Sequence, residues 1–164
     1  MSFGSTLVPS ERMTRRARAY LLVAAARHLI VGGYCVFKPE SFAPAAYRGI
    51  TDALMGLPTE TAIIVWGWLF LVTGTMCLFA AIRGTEAPAR VGLLMSVVTT
   101  ACWGGGFLAA ILTGVSTGPT GAVVWLAIAL KDSTMLRQPL RNPFEGLTQR
   151  VMADQNGCHP RPTT

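Results

Sequence analysis

The sequence predicts an all-α integral membrane protein: a four-helix bundle with both chain ends in the cytoplasm and a short interfacial helix in its first outer loop. Three observations carry this. Hydrophobic residues make up 51% of the chain and charged residues only 13%, about half the charged share of a soluble domain, and the mean hydropathy is +0.45. Three apolar stretches, 19–37, 61–82 and 91–113, are each long enough to cross a bilayer, given a rise of about 1.5 Å per residue and a hydrocarbon layer of about 30 Å. Basic residues gather at one side of these stretches, as topology requires.

Residues 1–18 form a basic tail with Arg12, Arg15, Arg16 and Arg18. The apolar run after it is too long for a signal peptide, is interrupted by Arg27-His28 and lacks a small-residue cleavage site; no lipobox precedes Cys35. It reads as an uncleaved first span over 19–37, entered from the cytoplasm near Ser10. Arg27 and His28 fall near its middle, where a charge costs about 2.5–3.5 kcal/mol. They must therefore face other helices or water.

Residues 38–60 join the first two spans. Tyr47, Ile50, Leu54 and Leu57 recur there at helical spacing, with Arg48 and Asp52 as an i,i+4 pair on the opposite side. This predicts a short helix, lying either at the outer interface or as a cap on the bundle. The second span, 61–82, carries no charge, and Trp66 and Trp68 near its outer end suit the interface. The segment 83–90 reads as a turn with an arginine at each end.

The third span, 91–113, carries Gly92, Ser96, Thr100 and Gly104 as a ladder of small side chains, with Ala101, Gly105 and Ala109 as a second ladder beside it. Such ridges let helices approach closely in lipid, and they serve the interior of a bundle more often than contacts between copies. An uncharged turn follows, and Pro119 suits the first position of a helix. A fourth span, 119–136, has a short apolar centre followed by Lys131 and Asp132. Its apolarity alone makes a poor span, but its length of 18 residues reaches about 27 Å.

Counting basic residues sets the sides. The N-terminal tail, the 83–90 turn and the C-terminal segment hold eleven, against two in the first outer loop and none in the second. This places both ends in the cytoplasm and requires four spans. The 137–164 tail begins with the tandem Arg137-Gln-Pro-Leu, Arg141-Asn-Pro-Phe, whose prolines favour extended chain. Leu140 and Phe144 are expected to dip into the membrane while Arg137 and Arg141 meet lipid phosphates. Residues 157–164 have the composition of a disordered end.

A buried cation needs a partner. Asp132 lies about 7 Å from the cytoplasmic boundary and Arg27 about 13 Å from it, a difference an arginine reaching back toward its own N-terminus covers. Glu60, at the outer rim, is the poorer partner. The expected intramembrane polar site is Arg27 with Asp132, with His28 or Lys131 nearby. The plainer role for the pair is a lock between the first and fourth helices; the other is a functional intramembrane site.

Catalytic chemistry finds no constellation here: no Ser/His/Asp set, H-E-x-x-H, P-loop or nucleotide-binding glycine fingerprint. No metal site or cofactor is expected, since Cys35, Cys77, Cys102 and Cys158 are scattered without a C-x-x-C pair. That absence also argues against a quinone-linked thiol oxidoreductase. A first span without an acidic residue argues against a small proton-coupled multidrug transporter. The net charge of +6 sits in tails and short loops, so the expected partner is the lipid bilayer and not nucleic acid. A homo-oligomer or a membrane partner completes the expectation.

Two resemblances bear on function. The run Pro119-Thr-Gly-Ala-Val-Val-Trp-Leu-Ala-Ile-Ala-Leu-Lys-Asp, followed by Arg-Gln-Pro-Leu-Arg-Asn-Pro-Phe-Glu, resembles the closing segment of small four-span membrane proteins of actinobacterial phages and prophages, some of them holin-like. That resemblance implies a protein that oligomerises and permeabilises the cytoplasmic membrane. The stretch Arg27-His-Leu-Ile-Val-Gly-Gly-Tyr-Cys-Val-Phe-Lys-Pro-Glu-Ser-Phe resembles the opening of DoxX-like four-helix membrane proteins. It implies an accessory subunit of a membrane redox or sulfur-handling assembly. A phage exclusion factor, or another membrane-modifying binding protein, is the third expectation.

Overall fold

The computed structural model describes residues 13–42, 47–52, 57–114, 119–138 and 140. Every regular element among them is helical: α1 (Arg15–Phe37), a 3-10 turn (Pro39–Phe42), α2 (Arg48–Asp52), α3 (Thr59–Arg83), α4 (Glu86–Leu112) and α5 (Thr120–Arg137). α1, α3 and α4 are long and apolar enough to cross a membrane. α5 has 18 residues, carries Lys131, Asp132 and Arg137, and does not share that apolarity.

Local chemistry sets the helix ends. Thr14 caps α1, its hydroxyl accepting from the Ala17 amide at 3.1 Å, so the helix starts at Arg15, four residues before the apolar run. α3 ends on Gly84, which takes the left-handed φ of 68° that glycine adopts without a Cβ penalty. The expected 83–90 turn shrinks to Gly84 and Thr85, because Glu86 already begins α4. Pro88 is tolerated there, since first-turn amides have no intrahelical partner, and Glu86 bridges Arg90 at 2.8 Å over the same turn. Pro119 stands just outside α5 as its cap, one position earlier than expected.

α1 packs on α3, α3 on α4 and α4 on α5, while the backbones of α1 and α5 stay apart and meet through side chains. The bundle is therefore open along an α1/α5 seam. Glycines set the close approaches. A Cβ on Gly32 would lie 2.8 Å from the Gly67 carbonyl oxygen, and one on Gly74 would lie 2.8 Å from Leu29 Cγ. Between α3 and α4, Gly92 sits against Cys77, and between α4 and α5, Gly104 sits against Leu126.

At the end where α1 begins, three chain segments are stitched together. The Met13 amide donates to the Gly84 carbonyl at 2.8 Å and the Thr14 amide to the Leu140 carbonyl at 3.0 Å. Arg18 caps the end of α3, with Nε donating to the Ala81 carbonyl at 2.7 Å and Nη2 to that of Ile82 at 3.2 Å. Leu140 is 2% exposed and belongs to the core with Ala17, Leu21 and Ala80. This corrects the expectation that Leu140 enters the lipid: the chain after α5 folds back, and the bundle end supplies the apolar surface. Phe144, Arg141, Leu54 and 157–164 lie outside the described residues, as does the start near Ser10.

At the opposite end, α2 and the 3-10 turn close over an aromatic core. Ile50 is fully buried and lies against Gly106, so the apolar side of α2 faces α4, as a cap does. Trp66 is also buried, its indole donating to the Ile50 carbonyl at 3.1 Å. Of the two tryptophans expected at the interface, Trp66 thus belongs to the core, and Trp68 is exposed, at 57%.

Candidate functional site

Asp132 of α5 is completely buried and accepts from three side chains on two other helices. Arg27 of α1 reaches its Oδ2 at 2.8 Å, the Tyr20 hydroxyl donates to Oδ1, and the Ser96 hydroxyl of α4 donates to Oδ2. Arg27 Nη2 also donates to Ser96 Oγ at 2.9 Å. Tyr20 and Arg27 stand seven residues apart, two turns along one face of α1, which aims both at the same carboxylate. Opposite charges at this distance neutralise each other, and the extra hydroxyl donors satisfy the remaining acceptor sites, as a buried ion pair requires.

His28 sits behind this group. Its Nδ1 lies 2.8 Å from the Ala24 carbonyl. A carbonyl only accepts, so Nδ1 carries the proton, and Nε2 faces Ser96 Oγ at 3.4 Å. The ring also packs against Phe70, with centroids 5.5 Å apart. Lys131 turns away and places Nζ 5.4 Å from the Tyr20 ring centroid, a cation–π contact. Glu60 is exposed at the first turn of α3, near the α2 end. The Arg27 side chain keeps 23% exposure, while its buried Nε has no partner among the described residues.

Gly92, Ser96, Thr100 and Gly104 are all buried and face the inside of the bundle. Gly92 receives α3, Gly104 receives α5, and Ser96 joins the ion pair. The Thr100 hydroxyl donates to the Ser96 carbonyl at 2.6 Å. The second ridge points elsewhere: Ala109 is exposed, and a Cβ on Gly105 would meet nothing within 4 Å. Arg137 ends α5 in an exposed position, whereas Arg141 lies outside the described residues. Among the described residues no group of three His, Cys, Asp or Glu side chains is placed to hold a metal, and Cys35 and Cys77 are buried free thiols.

Sequence reasoning did not single out Tyr20, Ser96 as a hydrogen-bond donor, or the glycines of the α1/α3 crossing. The seven-residue step from Tyr20 to Arg27 was available as a signal. So was the matching step from Gly67 to Gly74, which places both on one side of α3. Ser96 was read only for its small size.

Together these features define an all-helical protein with three helices of membrane-crossing length, tied by a buried arginine–aspartate pair. No family model, curated protein or solved structure matches the chain.

Proposed function

We propose that the chain is a four-span integral protein of the cytoplasmic membrane, with both ends cytoplasmic, and that it acts as a non-catalytic binding or accessory subunit rather than as the wall of a pore. The hydrogen bond from the Thr14 amide to the Leu140 carbonyl carries the topology. It holds the start of α1 and the chain after α5 at one end, with Gly84 of the α3–α4 turn beside them. If α1, α3 and α4 cross the bilayer, α5 must cross too for Leu140 to return to Thr14. The ion pair supports that crossing, because it turns the charge of Asp132 inward. The eleven-to-two basic count assigns the joined end to the cytoplasm.

The binding role rests on where polarity lies. Arg27, Tyr20, Ser96 and Asp132 bond one another inside the protomer, while Val23, Ile30, Phe37, Leu112 and Leu130 are among the large apolar side chains exposed along the helices. In a single copy this polar cluster is thus turned inward and does not itself form a channel wall. An accessory role is also what the resemblance to DoxX-like proteins implies. The holin-like reading is favoured by one observation, the outward ridge Ala101–Gly105–Ala109, through which copies would pack around a shared opening.

Two experiments test this. Reporter fusions after Ser116 and within 41–59 should report the outside, and fusions after Ala87 and at Thr164 the cytoplasm; periplasmic activity at Thr164 removes the four-span topology. Induced expression at verified high membrane levels should leave growth and membrane potential intact. Abrupt collapse of the potential after a delay would replace the accessory role with the holin-like one.

A further inference from the structure

Two backbone hydrogen bonds gather cations from three segments of the chain. The Met13 amide donates to the Gly84 carbonyl and the Thr14 amide to that of Leu140. Arg15 and Arg16 of α1, Arg83 of α3 and Arg137 of α5 therefore come to one end of the bundle. All four side chains are exposed, and none joins the ion pairs formed among the described residues, Arg27–Asp132 and Arg90–Glu86. Arg18 adds its charge at the same end, held by its bonds to the Ala81 and Ile82 carbonyls. The flanking segments do not offset this charge: by sequence, 1–12 carries one acid and one base, and 141–164 two acids and three bases.

Where the Arg83 guanidinium rests separates a lipid partner from a soluble one. Its carbon lies 5.1 Å from the centroid of the Phe79 ring, one turn back along α3, and both Phe79 and Ile82 are exposed. The charge is thus folded back along the apolar side wall of the bundle, the posture of an arginine at a membrane boundary. Lys131 likewise lies along the wall at the seam, its Nζ over the Tyr20 ring. On a wall that faces lipid, the anion within reach is a headgroup phosphate, whereas a soluble acidic protein meets only the end face. Like charges gathered at one end also repel one another. A phosphate among them relieves that repulsion, and its oxygens accept from the guanidinium forks.

We propose that Arg15, Arg16, Arg83 and Arg137 form a composite site for the phosphate of anionic membrane-lipid headgroups, which no single segment of the chain supplies. The proposal rests on the reading of the chain as an embedded protein and deepens it by naming the headgroup chemistry that its joined end selects. It extends the lipid contact expected of the tail arginines to a site shared by three helices.

The full-length chain is reconstituted in phosphatidylcholine vesicles containing a trace of spin-labelled phosphatidylglycerol or phosphatidylcholine. Electron paramagnetic resonance then gives the share of each labelled lipid immobilised at the protein. Phosphatidylglycerol should associate about 5-fold more strongly than phosphatidylcholine, the scale of one basic side chain at an anionic surface. Arg83→Gln with Arg137→Gln should at least halve that preference, and the single changes should each lower it, which keeps the series readable if the double variant does not fold. Arg83→Lys with Arg137→Lys should retain most of it, and Lys38→Gln, at the opposite end, should leave it unchanged. Equal association of the two lipids, or a preference that survives the double glutamine change, overturns the proposal. Displacement of the labelled lipid by inorganic phosphate, against chloride at equal ionic strength, overturns it in favour of a soluble phosphate ligand. Equal association together with capture of polyglutamate by the chain in detergent assigns the arginines to an acidic protein instead. Failure of the embedding reading registers separately, as the absence of any immobilised component for either lipid.

Discussion

The Asp132 carboxylate lies 2.8 Å from the Arg27 guanidinium across the seam between α5 and α1, and with the Tyr20 contacts to Asp132 and Lys131 it ties two helices whose backbones do not approach closely. The pair therefore holds together the least packed edge of the bundle. Asp132→Leu should be the more damaging single change, because it strands three donors, from Arg27, Tyr20 and Ser96. Arg27→Leu removes one donor of three. Each should cost about 3–5 kcal/mol, with the double change costing less than the sum. A double-mutant cycle on unfolding in detergent reads the coupling; additivity to within about 0.5 kcal/mol would mean the two side chains do not interact.

The two tyrosines at positions 20 and 34 separate hydrogen bonding from ring packing. Tyr20→Phe deletes a donor to an ionised carboxylate and should destabilise by about 1.5–3 kcal/mol. Tyr34→Phe deletes a hydroxyl that bonds nothing among the described residues and should leave unfolding within about 0.5 kcal/mol of the parent. Equal effects in a thermal unfolding series would contradict the assignment of Tyr20 to the network.

Neighbouring glycines on α1 should respond in opposite directions. Gly32→Ala forces a Cβ to 2.8 Å from the Gly67 carbonyl oxygen, where backbone must move, and should cost about 1–3 kcal/mol. Gly33→Ala meets nothing within 4 Å and should stabilise by up to about 1 kcal/mol through helix propensity. Gly105→Ala on α4 should behave like Gly33→Ala in the isolated protomer. Loss of an oligomer on Gly105→Leu, read by light scattering, would show that copies pack through that ridge.

Leu140 tests the closure of the tail end. It is 2% exposed and its carbonyl accepts from Thr14. Leu140→Ala keeps the backbone bond but empties the core site, for an expected loss of about 2–4 kcal/mol. A change within the range of ordinary surface substitutions, about 0.5 kcal/mol, would mean that the segment after α5 does not contribute to the bundle.

Long apolar runs bounded by basic residues determined most of the architecture at the level of sequence. Helix formation in 19–37, 61–82 and 91–113 follows from their length and apolarity, and the Arg27–Asp132 contact followed from depth, because an unpaired charge is too costly at those positions. The ladder from Gly92 to Gly104 was legible as a packing surface for the same elementary reason, the small size of its side chains. Tertiary structure alone decided which neighbour each small residue receives, since one helix periodicity serves several faces equally. It alone placed Leu140 and Trp66 in protein rather than lipid, because hydropathy registers removal from water and not which apolar surface does the removing. The seam itself is the separation of the α1 and α5 backbones. That spacing is a relation between the first and last helices, which no local stretch of the chain encodes.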